Sequence, residues 1–204
     1  MNYRNEVILS GNLAKKFEYQ QHYSQVKKSE AILEVKRMSG TVDQVIIQAV
    51  GWVTEVAEKF QEGDCVYVNG EIRTYNYHGK DNKIHTKVYV YINRIWKCIP
   101  QEHDINEVKM TGVIVKKADI RRTPLARKIQ EIIIATKYCN QNGDAYVPTI
   151  AWDAMALKVC REYKVGNVIR IIGRYQSRKY TKVYPDGKQE EKTTYEVSII
   201  RLDI

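Results

Sequence analysis

The sequence predicts an all-β chain made of two tandem Greek-key barrels, each interrupted by one short helix. Three observations predict this: a long phrase that occurs twice, runs of β-branched residues bounded by turn signals, and one stretch per half whose apolar residues fall at helical spacing. The phrase "NEVILSG" at residues 5–11 returns as "NEVKMTG" at 106–112, and the continuations "NLAKK" and "VIVKK" set Lys15-Lys16 opposite Lys116-Lys117. Further on, "VGWVTEVAEKFQEGDCVYVNGEIRTYNY" at 50–77 answers "IAWDAMALKVCREYKVGNVIRIIGRYQSRKY" at 150–180. Trp52 meets Trp152, Gly63 meets Gly166, Gly70 meets Gly173 and Tyr77 meets Tyr180. A period of about one hundred residues is too long for a solenoid unit of roughly 20 to 50. A whole domain has been duplicated.

In the second copy, "NEVKMTGVIVKK" and "ARKIQEIIIATKY" are rich in β-branched residues and read as strands. Asn142-Gly143, between Tyr138 and Tyr146, is a tight-turn signal and makes the next strand a hairpin partner. After "YVPTIAW" the period changes. Met155, Ala156, Val159, Cys160 and Tyr163 fall on one helical face, and Gly166 is suited to end that helix. The run "NVIRIIGRYQSRKY" returns to strand, turns at Pro185-Asp186-Gly187 and closes with "TTYEVSIIRL".

The first copy repeats this order, with Val53, Val56, Ala57 and Phe60 as the helix face, Gly63 as its stop and "HGKDN" as the late turn. "KCIPQEHD" is the connection, so the units are expected at 1–99 and 104–204. About five strands with one helix between the third and fourth is the order of the OB-fold, a partly open barrel that binds oligonucleotides and oligosaccharides; another small barrel or sandwich fits the same pattern. Gly70 and Gly173, inside strands, suit the bulges at which such a barrel turns its corners.

Lys and Arg number 33 against 24 Asp and Glu, a net +9 that favours a polyanionic partner. Cys65, Cys98, Cys139 and Cys160 lack metal-ligand or redox spacing and are expected as reduced cytosolic thiols. The start "MNYRNEVIL" has no signal-peptide apolar stretch, and no run approaches the ~18 apolar residues of a membrane span, so a cytoplasmic location is expected. His22, His78, His85 and His103 are scattered without ligand spacing, and no metal or other cofactor is expected. No nucleophile elbow, phosphate loop or His-Glu metal helix is present, so an enzyme is not expected.

The strings "VKMTGVIVKK", "IIIATKY", "NGDAYVPTIAW" and "GNVIRIIGRYQSRKY…DGKQEEKTTYEVSI" resemble, strand by strand, the bacterial single-stranded DNA-binding protein family. The first unit resembles a diverged copy, closer to primosomal and clostridial-type tandem relatives through "FEYQQHYSQ", "EVKRMSGTVDQV" and "GEIRTYNY". The resemblance implies non-sequence-specific binding of single-stranded DNA in replication, recombination or repair, with bases stacked on aromatic rings. In unit two the matching positions are Tyr138, Tyr146, Trp152 and Tyr180; in unit one Trp52 and Tyr77 remain, while Met38 and Ile46 stand where rings are expected. Unit two is therefore expected to dominate binding.

Strand parity points to the same face: Arg174, Arg178 and Tyr180 project together, as do Arg73, Tyr75 and Tyr77. Cations interleaved with rings suit phosphate and base contact, each stacked base contributing about 1 to 3 kcal/mol. The competing reading is a solvated face for Tyr75 and Tyr184, and core packing for Trp52 and Trp152. Trp96 is expected in core or interdomain packing. Arg121-Arg122, in a loop resembling the family's first hairpin, together with Lys15-Lys16, Lys116-Lys117 and Lys87, are the candidate phosphate contacts.

Two alternatives stay open: a protein-interaction accessory module of a primosome or mobile element, and single-stranded RNA binding. The resemblance also implies four barrels per particle, so two copies of this two-barrel chain are expected to form a homodimer, the rival being a monomer. Replication or recombination proteins are possible partners, without the family's usual acidic tail, because the sequence stops at "SIIRLDI" still in strand pattern.

Overall fold

The computed structural model describes residues 3–20, 26–79, 82–139, 142–183 and 187–203. His22, Tyr184, Pro185 and Asp186 lie outside these residues. Unit one runs β1 (Arg4–Leu13), β2 (Glu18–Tyr19), β3 (Lys28–Lys36), β4 (Val42–Val50), α1 (Trp52–Ala57), β5 (Cys65–His78) and β6 (Ile84–Lys97). Unit two runs β7 (Asn106–Lys117), β8 (Arg121–Arg122), β9 (Lys128–Lys137), β10 (Asp144–Trp152), α2 (Asp153–Glu162), β11 (Val168–Val183) and β12 (Gln189–Leu202).

Each unit is a five-stranded Greek-key barrel. In unit one β1 pairs with β3 and β5, β3 with β4, β5 with β6, and β4 runs parallel to β6 to close the ring. Unit two repeats every one of these pairings, with β10 parallel to β12. Alternation drives it: Val7, Leu9 and Leu13 of β1 and Val45, Ile47 and Ala49 of β4 are buried. The expected all-β class with one short helix per unit, and the tandem OB arrangement, are what the chain adopts.

The doubled phrase is the structural seam. Residues Arg4 to Leu9 of β1 pair antiparallel with Asn106 to Thr111 of β7, with Val7 opposite Val108, so the two copies meet about a local twofold axis and the sheets merge into one of twelve strands. The glycines ending the two phrases have a packing cause. A Cβ on Gly11 would collide with the Glu34 carbonyl oxygen, and one on Gly112 with that of Ala135, where the first strand crosses its second neighbour to close the barrel. Gly70 and Gly173 mark register shifts in the β5–β6 and β11–β12 ladders, the bulges their sequence context implies.

The helices lie between the third and fourth long strands of each unit and bury Val53, Thr54 and Ala57 of α1 and Ala156 and Val159 of α2. α1 is shorter than its apolar periodicity implies, and Phe60 packs on the core from beyond its end. Cys160 is half-buried. Gly63 and Gly166 adopt φ of 84° and 89°, the left-handed conformation that follows a helix at low steric cost.

Two expectations are corrected. Cys65 and Cys98 are not free thiols but a disulfide, with Cα atoms 5.3 Å apart at the non-hairpin end of the β5–β6 ladder. Their separation of 33 residues carries no local signal; only ladder register brings them together. Trp96 is not core: it is 43% exposed and stacks on Tyr67, its cross-strand neighbour, with ring centroids 4.5 Å apart. No helix among the described residues is long and apolar enough to cross a membrane.

Candidate nucleic-acid interface

On the outer face of the unit-two barrel, strand alternation brings β9, β10 and the β11–β12 hairpin together. Tyr146 of β10 is 52% exposed and Tyr180 of β11 is 41% exposed. On the same strands an open groove is lined by Lys116, Glu131, Ile133, Pro148, Arg178 and Thr194. Arg178 donates through Nε to Glu196 Oε1 at 3.2 Å. Burial works against its charge, but the hydrogen bond and field of Glu196 outweigh that and raise its pKa. Arg121 is paired with Glu131 at 2.9 Å, while Arg122 is exposed and has no side-chain partner among the described residues.

Trp152, at the end of β10, is half-buried, and the Arg127 guanidinium lies 4.5 Å from its ring centroid. Tyr138 is half-buried just after β9, and Arg73 of unit one lies 4.4 Å from its ring centroid, so the ring contributes to the contact between units.

Arg73 is a correction of the parity argument. Instead of standing beside Tyr75 and Tyr77 in solvent, it is 6% exposed, donates to the buried Glu71 at 2.7 Å and sits 3.5 Å over the Tyr91 ring. A buried carboxylate and two rings make it an internal strut. Lys87 is likewise committed, with Nζ 2.6 Å from each oxygen of Glu30. Lys117 donates to the carbonyls of Cys160 and Tyr163 at 2.7 and 2.6 Å, capping the end of α2 rather than facing a ligand.

Unit one nevertheless displays rings. Tyr75 and Tyr77 are 46% and 45% exposed, with Tyr75 6.0 Å from Tyr77 and 6.2 Å from Tyr89, and Trp52 is exposed rather than core. Met38 is exposed at the β3–β4 turn, and Ile46 lines a second groove with Lys15, Lys16, Glu30 and Ile32. That groove is the counterpart of the one in unit two. The sequence reading missed Tyr89 and Tyr91, although the alternation in "VYVYIN" marks them, and it missed Arg37 and Arg127, which single-strand parity cannot place. Burial pushes the Tyr89 hydroxyl up to about 12.

The model of the single-strand binding protein family matches residues 4–97 and again residues 105–203. The chain belongs to that family. Wild-type single-stranded DNA binding protein from Thermus aquaticus has the same fold, with a TM-score of 0.76 at 17% identity over 100% of this chain and 93% of that one. A deletion mutant of the same Thermus aquaticus protein gives a TM-score of 0.73 at 17% identity, covering 98% of this chain and 94% of that one. A search of curated proteins returns no match.

Proposed function

We propose that the chain binds single-stranded DNA without sequence preference, stacking bases on rings of both barrels while lysines and arginines neutralise phosphates. The exposed rings of Tyr146 and Tyr180, on the strands that also present a groove lined by Lys116 and Arg178, carry this reading. Rings accept any base because every base has a π-face, and the cations supply affinity that does not depend on sequence. On unit two the proposed contacts are Tyr146, Trp152, Tyr180, Arg174, Arg178, Arg121, Arg122 and Lys116; on unit one they are Trp52, Tyr75 and Tyr77.

The binding units are residues 1–99 and 104–204, and the protein works as a homodimer in the cytoplasm, in replication, recombination or repair. Persistence of the Cys65–Cys98 bridge there requires a reduction potential below that of the cytosolic thiol pool. The test is intrinsic fluorescence during titration with oligo(dT), oligo(U) and duplex DNA. Quenching by oligo(dT) alone is expected; equal response to oligo(U) moves the reading to RNA, and response to none of the three leaves a protein-interaction module.

A further inference from the structure

Arginines of the two units share an acceptor where the units join, and the charge of a third arginine reaches them. Arg37 follows β3 in unit one; Arg127 leads into β9 and Arg174 lies on β11, both in unit two. Arg37 Nη2 and Arg174 Nε each donate at 3.3 Å to a single acceptor, Oε1 of Gln176, a residue only 3% exposed. The Gln176 amide donates onward to Glu196 Oε1 at 3.0 Å, the carboxylate that also holds Arg178.

The charges facing Arg174 are Arg37, Asp43 and Arg127. Asp43 is engaged by Arg37 through two hydrogen bonds of 2.6 Å and accepts a third from Ser177 N at 3.1 Å. Arg127 pairs with Asp153 at 2.9 Å. Among the described residues, Arg174 alone of the three has no carboxylate hydrogen-bonded to it. It is half-buried, its hydrogen bond goes to a neutral amide, and burial followed by the charge of Arg37 lowers its pKa. A partly desolvated guanidinium beside two others is stabilised by an anion, and its planar fork fits phosphate oxygens. The half-exposed Trp152 ring beside Arg127 offers a neighbouring base a surface, so ring and cation together select a nucleotide over a bare anion.

We propose that Arg174, flanked by Arg37 and Arg127, binds one backbone phosphodiester of a single strand as it crosses from one barrel to the other. This rests on the single-stranded DNA reading and deepens it. The two units then act as one continuous site, and Arg37 of unit one contributes to the same phosphate contact as Arg174 of unit two.

The experiment uses the full chain and oligo(dT) of about 30 nucleotides, long enough for two OB units, titrated from 50 to 200 mM salt. Removing one cation from a bound phosphate of a single strand lowers the salt slope by roughly 0.7, so wild-type affinity should fall about two- to threefold more than that of Arg174→Gln over this range. Arg174→Lys should keep the wild-type slope. Arg37→Gln and Arg174→Gln should combine to less than the product of their separate effects, since they share one phosphate. Arg127→Gln, on an exposed side chain outside the Gln176 network, should show the reduced slope even if Arg174→Gln proves unstable. A wild-type slope in both Arg174→Gln and Arg127→Gln, or fully multiplicative effects of Arg37→Gln and Arg174→Gln, overturns the junction site while single-stranded binding stands. A wild-type chain that does not bind oligo(dT) removes the function and this site with it.

Discussion

The Asn106 side chain closes a two-bond ring with the backbone of Tyr175: Nδ2 donates to the carbonyl at 2.7 Å and Oδ1 accepts from the N–H at 2.8 Å. Asn5 does the same with Ile72, at 2.9 and 3.0 Å. Pairing of the first strand with the fourth stops at Gly70 and at Gly173, so the backbone two residues on has no ladder partner there, and a buried peptide group left unpaired is costly. Asn106→Ala should therefore destabilise the chain by about 1 to 3 kcal/mol, read as a shift of the urea midpoint. An unchanged midpoint contradicts this account of the repeated asparagine.

The exposed rings should bear on binding rather than folding. Tyr146→Ala and Tyr180→Ala are each expected to weaken oligo(dT) binding by about 1 to 3 kcal/mol with little change in stability. Tyr77→Ala tests unit one in the same way. If Tyr77→Ala costs more than Tyr180→Ala, unit two does not dominate, and Met38 and Ile46 are no measure of what unit one binds.

The disulfide closes a 33-residue span, for which loss of loop-closure entropy stabilises by about 3 to 4 kcal/mol. Reduction, or paired Cys65→Ser and Cys98→Ser, should lower the melting temperature. Thiol titration of the unreduced, denatured chain should find two reactive cysteines, Cys139 and Cys160; finding four means the bridge does not form.

Duplication, strand order, both bulges and the helix positions were legible because each is written locally: a repeated string, alternation, a glycine inside a strand, a change of period at Trp152. Arg73 was misplaced for a physical reason. Parity assigns a side of the strand, but it does not show that Tyr138 of the other unit covers that side and leaves room only for a guanidinium stacked on rings. The approach of Arg37 to Arg174 was invisible in the same way, since it depends on how the β1–β7 seam sets one unit against the other. Trp96 was misread because an aromatic beside a buried Ile95 looks like core until the strand's two faces are assigned.

Alkaline pH should unfold the chain through its buried tyrosines. Burial raises the Tyr89 pKa from 10.0 to about 12, and burial raises those of Tyr138, Tyr175 and Tyr195 as well. A raised folded-state pKa means that the unfolded chain releases the proton first. The associated stability is fully present below pH 10 and is lost as pH rises toward 12. Urea midpoints should be insensitive to these groups up to about pH 9 and fall above pH 10, more gently in Tyr89→Phe. A midpoint independent of pH up to about 11.5 contradicts the burial of these hydroxyls.

Assembly can be tested on the face that the seam creates. Strands β6, β5, β1, β7, β11 and β12 are neighbours in one continuous sheet, and the side turned away from the cores carries Trp96, Ile105 and Ile200, which are 43%, 44% and 55% exposed. A local twofold axis near Val7 and Val108 gives this face two similar halves, so a second copy can meet it symmetrically and cover the apolar side chains of both chains at once. Light scattering of DNA-free protein at micromolar concentration should give twice the 23.8 kDa of one chain. Trp96→Asp combined with Ile200→Asp should halve that mass while leaving the melt cooperative, because neither side chain belongs to a core. A wild-type mass of one chain at every concentration rejects the dimer; a dimer unaffected by both substitutions places its contact on another face.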